Sequence, residues 1–360
     1  MNQFWSSRLE GIRAYTPGEQ PIGRKFIKLN TNENPYPPAP NVEDALRELG
    51  EEQAASLRLY PDPASSGLST IIAARNMLRP SQVFLGNGSD EVLCFCFMAF
   101  MDAQRPAIFP DITYSFYPVY AQFTGVPVIN PPLQEDFSVP VEELCQNRGV
   151  VLLANPNAPT GRALPLETIE EIVRANPDYA VIIDEAYIDF GGYTAASLIH
   201  RYENLLVVQT FSKSRALAGM RVGYALGQEP LIDALRTVRD CINSYTIERA
   251  AQRIATASMQ NEAYFRQRCW QIVETRERTA EALTALGFHV VPSEANFLFV
   301  EHPAVSGETL YQALREADIL VRRWDQERIR NYLRISIGTD EEMDLLLAQL
   351  KAILAAHGEA

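Results

Sequence analysis

The sequence predicts an α/β fold: a large domain whose mostly parallel sheet is covered by helices on both faces, then a smaller α+β domain. Three observations carry this. Between Val83 and Leu226, short apolar runs alternate with helical patterns, the arrangement expected of buried parallel strands linked by helices. From Glu248 the pattern changes to a long helical stretch followed by strands and helices in mixed order. At 360 residues the chain also exceeds what one core usually holds.

The elements follow in order. Residues 1–40 form an extended arm, because Pro17, Pro21, Pro35, Pro37, Pro38 and Pro40 break any regular helix. A polar helix runs from Asn41 to about Leu57, Tyr60-Pro-Asp-Pro turns, and Ser65–Leu78 is helical again. The strands expected next are Val83–Leu85, Ala107–Phe109, Val126–Ile129, Val150–Ala154, Ala180–Ile183, Leu205–Val208 and Val222–Leu226. Between them lie the helical stretches Ser89–Met101, Ser115–Phe123, Val141–Gln146, Leu166–Ala175 and Leu231–Cys241. Glu248–Leu286 reads as helix. Strands are then expected at Phe288–Val291, Asn296–Val300, Ile319–Arg322 and Tyr332–Ile337, with helices near Glu308–Ala317 and from Asp340. The expected division is an arm (1–40), a large domain (41–247) and a small domain (248–360).

Composition excludes several functions. A net charge of −13 argues against nucleic acid or an anionic membrane as partner, since phosphate backbones need a basic face. The longest apolar stretch, Val92–Met101, is about half of a membrane span. Residues 1–8 lack the basic start, apolar run and cleavage site of a signal peptide. Five cysteines imply no disulfide framework, and the four histidines show no metal-ligand spacing. The expectation is a cytoplasmic enzyme without a metal.

One residue type is conspicuously rare. Of 32 Lys+Arg, four are lysines (Lys25, Lys28, Lys213, Lys351), so Lys213 stands alone in the middle of an arginine-rich chain. Arginine can supply charge anywhere, but guanidinium stays protonated and cannot attack a carbonyl. Composition bias alone could leave one lysine; its surroundings favour chemistry. Lys213 follows a strand directly, and ligands of open α/β sheets bind beyond the strands' carboxyl ends. Ser212 precedes it, Arg221 lies eight residues on, and Ala216, Ala218 and Gly219 allow close approach.

Other strand ends point the same way. Asp184 closes Val181-Ile-Ile-Asp, with Tyr187 just beyond. A strand-end Asp-Glu also occurs in P-loop nucleotidases, but no phosphate-loop lysine exists upstream. Gly86-Asn-Gly-Ser-Asp-Glu joins a strand to an apolar helix, whose free N–H groups could hold an anion; an ordinary capped turn would look alike. Asn155-Pro-Asn-Ala-Pro-Thr-Gly fixes a rigid turn at the same edge. Arg334, flanked by Leu333, Ile335 and Ile337, would be buried and need an anion; an internal salt bridge would satisfy it equally. Arg322 ends a neighbouring apolar run.

Together these residues fit pyridoxal phosphate. The cofactor needs a lysine for its Schiff base and a carboxylate, Asp184, facing its pyridine nitrogen. Gly88, Ser89 and Asp90 at the helix start, with Ser212 and Arg221, would neutralise its phosphate. Tyr114 could stack on its ring and Tyr187 could reach its phenolic oxygen.

On these segments the chain resembles the fold-type I aminotransferases, and within them the histidinol-phosphate aminotransferase subfamily. The matching stretches include Tyr15-Thr-Pro-Gly-Glu-Gln-Pro, Lys28-Leu-Asn-Thr-Asn-Glu-Asn-Pro-Tyr, Leu59-Tyr-Pro-Asp-Pro, Thr113-Tyr-Ser, Asp184-Glu-Ala-Tyr, Phe211-Ser-Lys-Ser-Arg, Ile319-Leu-Val-Arg and Leu333-Arg-Ile-Ser-Ile-Gly-Thr, in order over nearly the whole length. The resemblance implies Lys213 as the Schiff-base lysine, Asp184 as pyridinium partner and Tyr187 at the phenolic oxygen. It implies Arg334 as receptor of an α-carboxylate, with Arg322 and Tyr15 near the substrate's distal group. It also implies a homodimer, in which Tyr60 reaches the phosphate in the neighbouring subunit. One position departs: many relatives place Asn immediately before Pro-Thr-Gly, where this chain has Ala158. Asn157 is then the candidate to take over, unless Tyr187 acts alone. The implied reaction is transamination of histidinol phosphate with 2-oxoglutarate. An aromatic amino-acid aminotransferase or a phosphothreonine-type decarboxylase could use the same residues. A non-catalytic cofactor-binding regulator would require a basic DNA-binding module, which this acidic chain lacks.

Overall fold

The computed structural model describes residues 4–6, 9, 11–20, 23–51 and 54–358. Part of the N-terminal octet, and Pro21, therefore lie outside the described residues. Strand β1 (Ile27–Lys28) lies in the arm. Strands β2 (Val83–Asn87), β3 (Ala107–Ile108), β4 (Val128–Ile129), β5 (Val150–Ala154), β6 (Val181–Asp184), β7 (Leu205–Thr210) and β8 (Val222–Gly227) form one sheet in the order β2-β8-β7-β6-β5-β3-β4. Strands β9 (His289–Val291), β10 (Phe297–Glu301), β11 (Ile319–Leu320) and β12 (Leu333–Ser336) complete the set.

Alternation along the central strands shows why this sheet is buried twice. Val151, Leu153, Val181, Ile183, Leu205 and Val207 face one core. Leu152, Ala154, Ile182, Leu206 and Val208 face the other. Successive side chains of a strand point to opposite faces, so a continuous apolar run fills two cores at once. Each fully buried Val, Leu or Ile contributes roughly 1.5–3 kcal/mol.

Strand β8 alone runs against its neighbours. The physical reason is the short link. A parallel return needs a crossover of about a dozen residues or more, usually helical. Residues 211–221 hold only the 3-10 turn Ala218–Met220, so the chain folds straight back. The consequence is functional: Lys213 leaves the end of β7 and Arg221 enters the start of β8 at the same sheet edge.

The long helical stretch divides at Asn261, whose side chain accepts a hydrogen bond from the Tyr264 N–H at 3.3 Å. Helix Glu262–Ala285 packs on the small sheet. Helix Arg249–Gln260 does not follow the boundary expected at 247/248. It buries Ala251, Ile254, Ala255, Ala257 and Met259 in the core that includes Val42, Leu68 and Ile72, because its apolar stripe meets helices Asn41–Glu51 and Ser66–Arg75.

Strands β12-β10-β9 form an antiparallel sheet. Strand β11 does not join it; it pairs in parallel with β1, Ile27 opposite Ile319 and Lys28 opposite Leu320. The Ser336 N–H also donates to Leu29 O at 2.9 Å. These bonds fasten the arm to the small sheet and carry residues 30–34 to the cleft. Among the described residues, no helix is long and apolar enough to cross a membrane.

Candidate active site

Strands β2, β5, β6 and β7 end at one edge of the large sheet, where a cleft of about 1090 Å³, including its open mouth, is bordered by the arm and the small sheet. Asp184, Tyr187, Ser212, Lys213, Arg221, Ser89, Asp90, Tyr114, Tyr15, Arg322 and Arg334 all line it. Residues separated by more than 300 positions thus meet in one space.

Lys213 is held by short bonds. Its Nζ donates to Thr31 O at 3.0 Å, and Asn34 Nδ2 donates to the carbonyls of Lys213 and Ser214, both at 3.1 Å. The amine opens to the cleft but is otherwise enclosed by protein. Burial, reinforced by the Arg334 guanidinium and partly offset by Asp90 and Glu33, pulls its pKa down to about 8. An amine so placed is partly neutral near physiological pH.

Asp184 is buried at the end of β6. Its Oδ2 accepts from Tyr117 O–H at 2.8 Å and its Oδ1 from the Ala186 N–H at 3.2 Å. Burial raises its pKa to about 6, against these two bonds. Tyr117 is itself 0% exposed, wedged edge-on against Phe109 and Tyr114. Tyr187 lies edge-on to Phe297, its hydroxyl accepting from Asn32 Nδ2 at 3.0 Å. Asn32 is fixed in turn by Ser336, whose hydroxyl takes the Asn32 N–H at 2.8 Å and donates to Oδ1 at 2.9 Å.

A cradle lies at the start of helix Gly88–Phe100. Gly88 has φ +80°, and a Cβ there would meet Arg221 Nη2 at 2.5 Å. A Cβ on Gly223, the β8 residue opposite Gly86, would run into the backbone of Gly88 and Ser89. Backbone and guanidinium therefore close in where only glycine fits. Arg221 Nη2 bonds Asp90 Oδ2 at 2.9 Å, and Tyr114 O–H donates to Asp90 Oδ1 at 2.8 Å. The Ser212 hydroxyl accepts from Thr210 Oγ1 at 3.0 Å.

The two arginines of the small sheet pair through their backbones, each N–H donating to the other's carbonyl at 3.0 and 2.8 Å. Arg334 Nη2 donates to Asn30 O at 2.9 Å, while its buried Nε has no partner. Arg322 Nη2 donates to Thr16 O at 3.0 Å. Among the described residues neither guanidinium has a carboxylate partner. Burial lowers the Arg334 pKa from its ordinary value.

Three predicted residues are placed elsewhere. Asn157 is 1% exposed and turned away from the cleft. Its Nδ2 donates to Ile112 O at 3.1 Å and Thr160 Oγ1 at 3.0 Å, and its Oδ1 accepts from Thr113 Oγ1 at 2.9 Å. Amide and carbonyl are both bonded within the turn, and Ala158, not Asn157, lines the cleft. Gly88 contributes backbone behind the wall. Tyr60 is 78% exposed and stacks on Tyr245, ring centroids 4.5 Å apart, outside the cleft lining.

Sequence reasoning missed Tyr117, Asn32, Thr31 and Trp324. Nothing local marks Tyr117 among neighbouring aromatics. The run Asn30-Thr-Asn-Glu-Asn did carry a signal: a dense polar cluster in a proline-rich arm that has to be satisfied somewhere. Among the described residues, no group of three or more His, Cys, Asp or Glu could hold a metal.

This geometry has known counterparts. The family described as aminotransferase class I and II is matched over residues 24–350. The chain belongs to that family. It is 51% identical over 352 residues to the histidinol-phosphate aminotransferase of Acinetobacter baylyi, covering 98% of each. It is 51% identical to histidinol-phosphate aminotransferase 2 of Burkholderia lata, covering 99% of this chain and 100% of the relative. The crystal structure of the Sinorhizobium meliloti histidinol-phosphate aminotransferase in complex with pyridoxal-5'-phosphate superposes with a TM-score of 0.84, at 26% identity over 93% of this chain and 92% of that one. The fold is that of type I aminotransferases.

The cleft fits the same cofactor. A buried carboxylate stands at one end, a cradle of glycines, helix N–H groups and Arg221 at another, and a desolvated lysine amine between the sheet and the arm. The donor set suits a phosphate-bearing aldehyde with a basic ring nitrogen.

Proposed function

We propose that the chain is a pyridoxal-phosphate-dependent aminotransferase that converts histidinol phosphate and 2-oxoglutarate to imidazole acetol phosphate and glutamate. The observation that carries the substrate class is the backbone-paired Arg322 and Arg334, both lining the cleft and, among the described residues, without carboxylate partners. Such a pair suits a substrate with anionic groups, the phosphate of one substrate and the two carboxylates of the other. The half-identical relatives support the choice of amine.

When bound, the cofactor supplies an electrophilic aldehyde and an electron-withdrawing ring. Lys213 Nζ provides the amine that holds that aldehyde. When free, the same Nζ, held by Thr31 O, would be neutral enough to take the proton from the substrate's α-carbon. Asp184, oriented by Tyr117, would meet the ring nitrogen. Tyr187 holds a proton at its hydroxyl oxygen, oriented by Asn32. The helix-start backbone at Ser89 and Asp90, with Gly88 behind it, Ser212 and Arg221 would hold the phosphate, with Tyr114 toward the ring and Tyr15 on the substrate side.

The reading includes a homodimer in the cytoplasm, with the exposed Tyr60 reaching the neighbouring subunit's phosphate. It also includes a cofactor-binding large domain, a small substrate-gripping domain and an arm that serves both. Initial rates with histidinol phosphate, phenylalanine and phosphothreonine, each with 2-oxoglutarate, test the reaction. Histidinol phosphate is expected to give the highest kcat/KM, with glutamate as product. Faster turnover of phenylalanine, or release of CO₂ from phosphothreonine, would replace the reading.

A further inference from the structure

Two guanidiniums held together without a counter-ion repel each other, and a protein ordinarily supplies a carboxylate to balance them. Elsewhere at this cleft carboxylates do meet cations: Glu33 pairs with Lys28 and Asp90 with Arg221. Beside Arg322 and Arg334 stands an indole. The Arg334 guanidinium carbon lies 5.3 Å from the centre of the Trp324 ring and 5.4 Å from Phe297; that of Arg322 lies 5.7 Å from Trp324. Contacts therefore alternate from Phe297 to Arg334 to Trp324 to Arg322.

The indole does not reach this place by chance of a mobile loop. Its segment is clamped to the large sheet by Arg328, whose Nη1 bonds Asp111 Oδ2 at 3.1 Å and whose Nη2 donates to Leu133 O and Gln134 O, both at 2.9 Å. Arg323 stiffens the same segment through Asp325 at 2.7 Å and Arg330 O at 2.8 Å. Trp324 itself lines the cleft.

We propose that Trp324 is the positioning residue of the anion site: its π face sits where a carboxylate would otherwise neutralise Arg322 and Arg334. A ring attracts a cation through its quadrupole without satisfying its N–H donors. Both arginines are thus attracted to the indole, while the donors not already bonded to Asn30 O and Thr16 O stay free for the substrate's anionic groups. A carboxylate in the same place would hold them as firmly and occupy those donors. The inference rests on the reading that these arginines receive substrate anions, but not on which amine is the donor.

The test uses the holoenzyme and measures dissociation constants of inorganic phosphate and of 2-oxoglutarate by calorimetry, without any amine present. Trp324→Leu is expected to weaken both by about 5-fold to 30-fold, from the loss of two cation–π contacts. Trp324→Phe should stay within about 3-fold of the native protein, because a ring face remains. Trp324→Glu should abolish phosphate binding at neutral pH. In all three the cofactor's absorbance and the melting temperature should be preserved, and KM should rise with little change in kcat. Native affinity in Trp324→Leu overturns the proposal, as does a Phe variant as weak as Leu. Should Leu lower the melting temperature, the Phe and Glu variants decide the matter: retained phosphate binding in the Glu variant overturns it. A native enzyme that ignores histidinol phosphate yet shows this ranking would refute the substrate reading and leave the role of Trp324 standing.

Discussion

Replacing Asp184 by asparagine should change how the cofactor-free protein responds to pH. The native carboxyl titrates at about 6 in the fold against 3.8 as its ordinary value, chiefly through burial. The sign follows from proton binding. Between pH 3.8 and about 6 the folded protein binds the Asp184 proton and the unfolded chain does not, so stability falls as pH rises through this window. Above it the full cost remains, about 3 kcal/mol for a shift of this size. The amide of the variant carries no such titration. In denaturant unfolding of the apoproteins at pH 4 to 8, the Asp184→Asn variant should gain about 2.5 kcal/mol relative to native across this range. Whatever constant penalty the amide brings by breaking the Tyr117 bond cancels from that difference. Glu185, raised to about 7 by burial, titrates in both proteins and cancels as well. A stability difference that does not vary with pH would refute the reasoning. With the cofactor bound, a cationic ring nitrogen would compensate the carboxylate, and the ordering should reverse at neutral pH.

Lys213 gives a second pH dependence of opposite sign. Only the neutral amine reacts with an aldehyde, so the rate at which apoenzyme captures pyridoxal phosphate should rise with a midpoint near pH 8, and a midpoint above pH 10 would show that burial does not depress this lysine. Lys213→Arg keeps a cation but no nucleophile; it should lose turnover and the absorbance of the lysine-bound cofactor, and retention of either would remove Lys213 from the mechanism. Asn157→Ala should cost about 1–3 kcal/mol in unfolding through the unmade bonds of its turn, while leaving cofactor affinity native; the opposite pattern would restore Asn157 to the cofactor site.

What the sequence revealed depended on how local the information was. The strands β5, β6 and β7 were legible because burial on both faces writes a continuous apolar run. Lys213, Asp184 and Arg221 were legible because they sit at strand ends, where sequence position predicts the binding edge. The reversal of β8 follows from the shortness of residues 211–221 and could have been inferred. The surroundings of Asn157 were not legible, because its partners are Ile112, Thr113 and Thr160, of which only Thr160 is near in sequence. Tyr117 and Trp324 were missed for the same reason: their roles lie in contacts made across the fold. The helix Arg249–Gln260 shows the limit for boundaries, since a helix's amphipathic stripe says that it packs but not against which core.

The cleft's charges explain why the arm matters beyond closing it. Lys28 ties up Glu33, with a further bond from Thr31 to the same carboxylate at 2.8 Å, although Glu33 is the acid of the arm nearest in reach of Lys213. Even so paired, Glu33 pulls the Lys213 pKa upward against burial, and without Lys28 it would favour the charged amine more strongly. Thr31 instead offers the amine a carbonyl at 3.0 Å, an acceptor that holds Nζ in place whether or not it carries its extra proton. Asn30 places its own carbonyl on Arg334 in the same manner, again without adding charge. The arm thus orients both cations with neutral oxygens and sequesters its one local carboxylate, which leaves the lysine able to lose a proton and the arginine able to bind an anion.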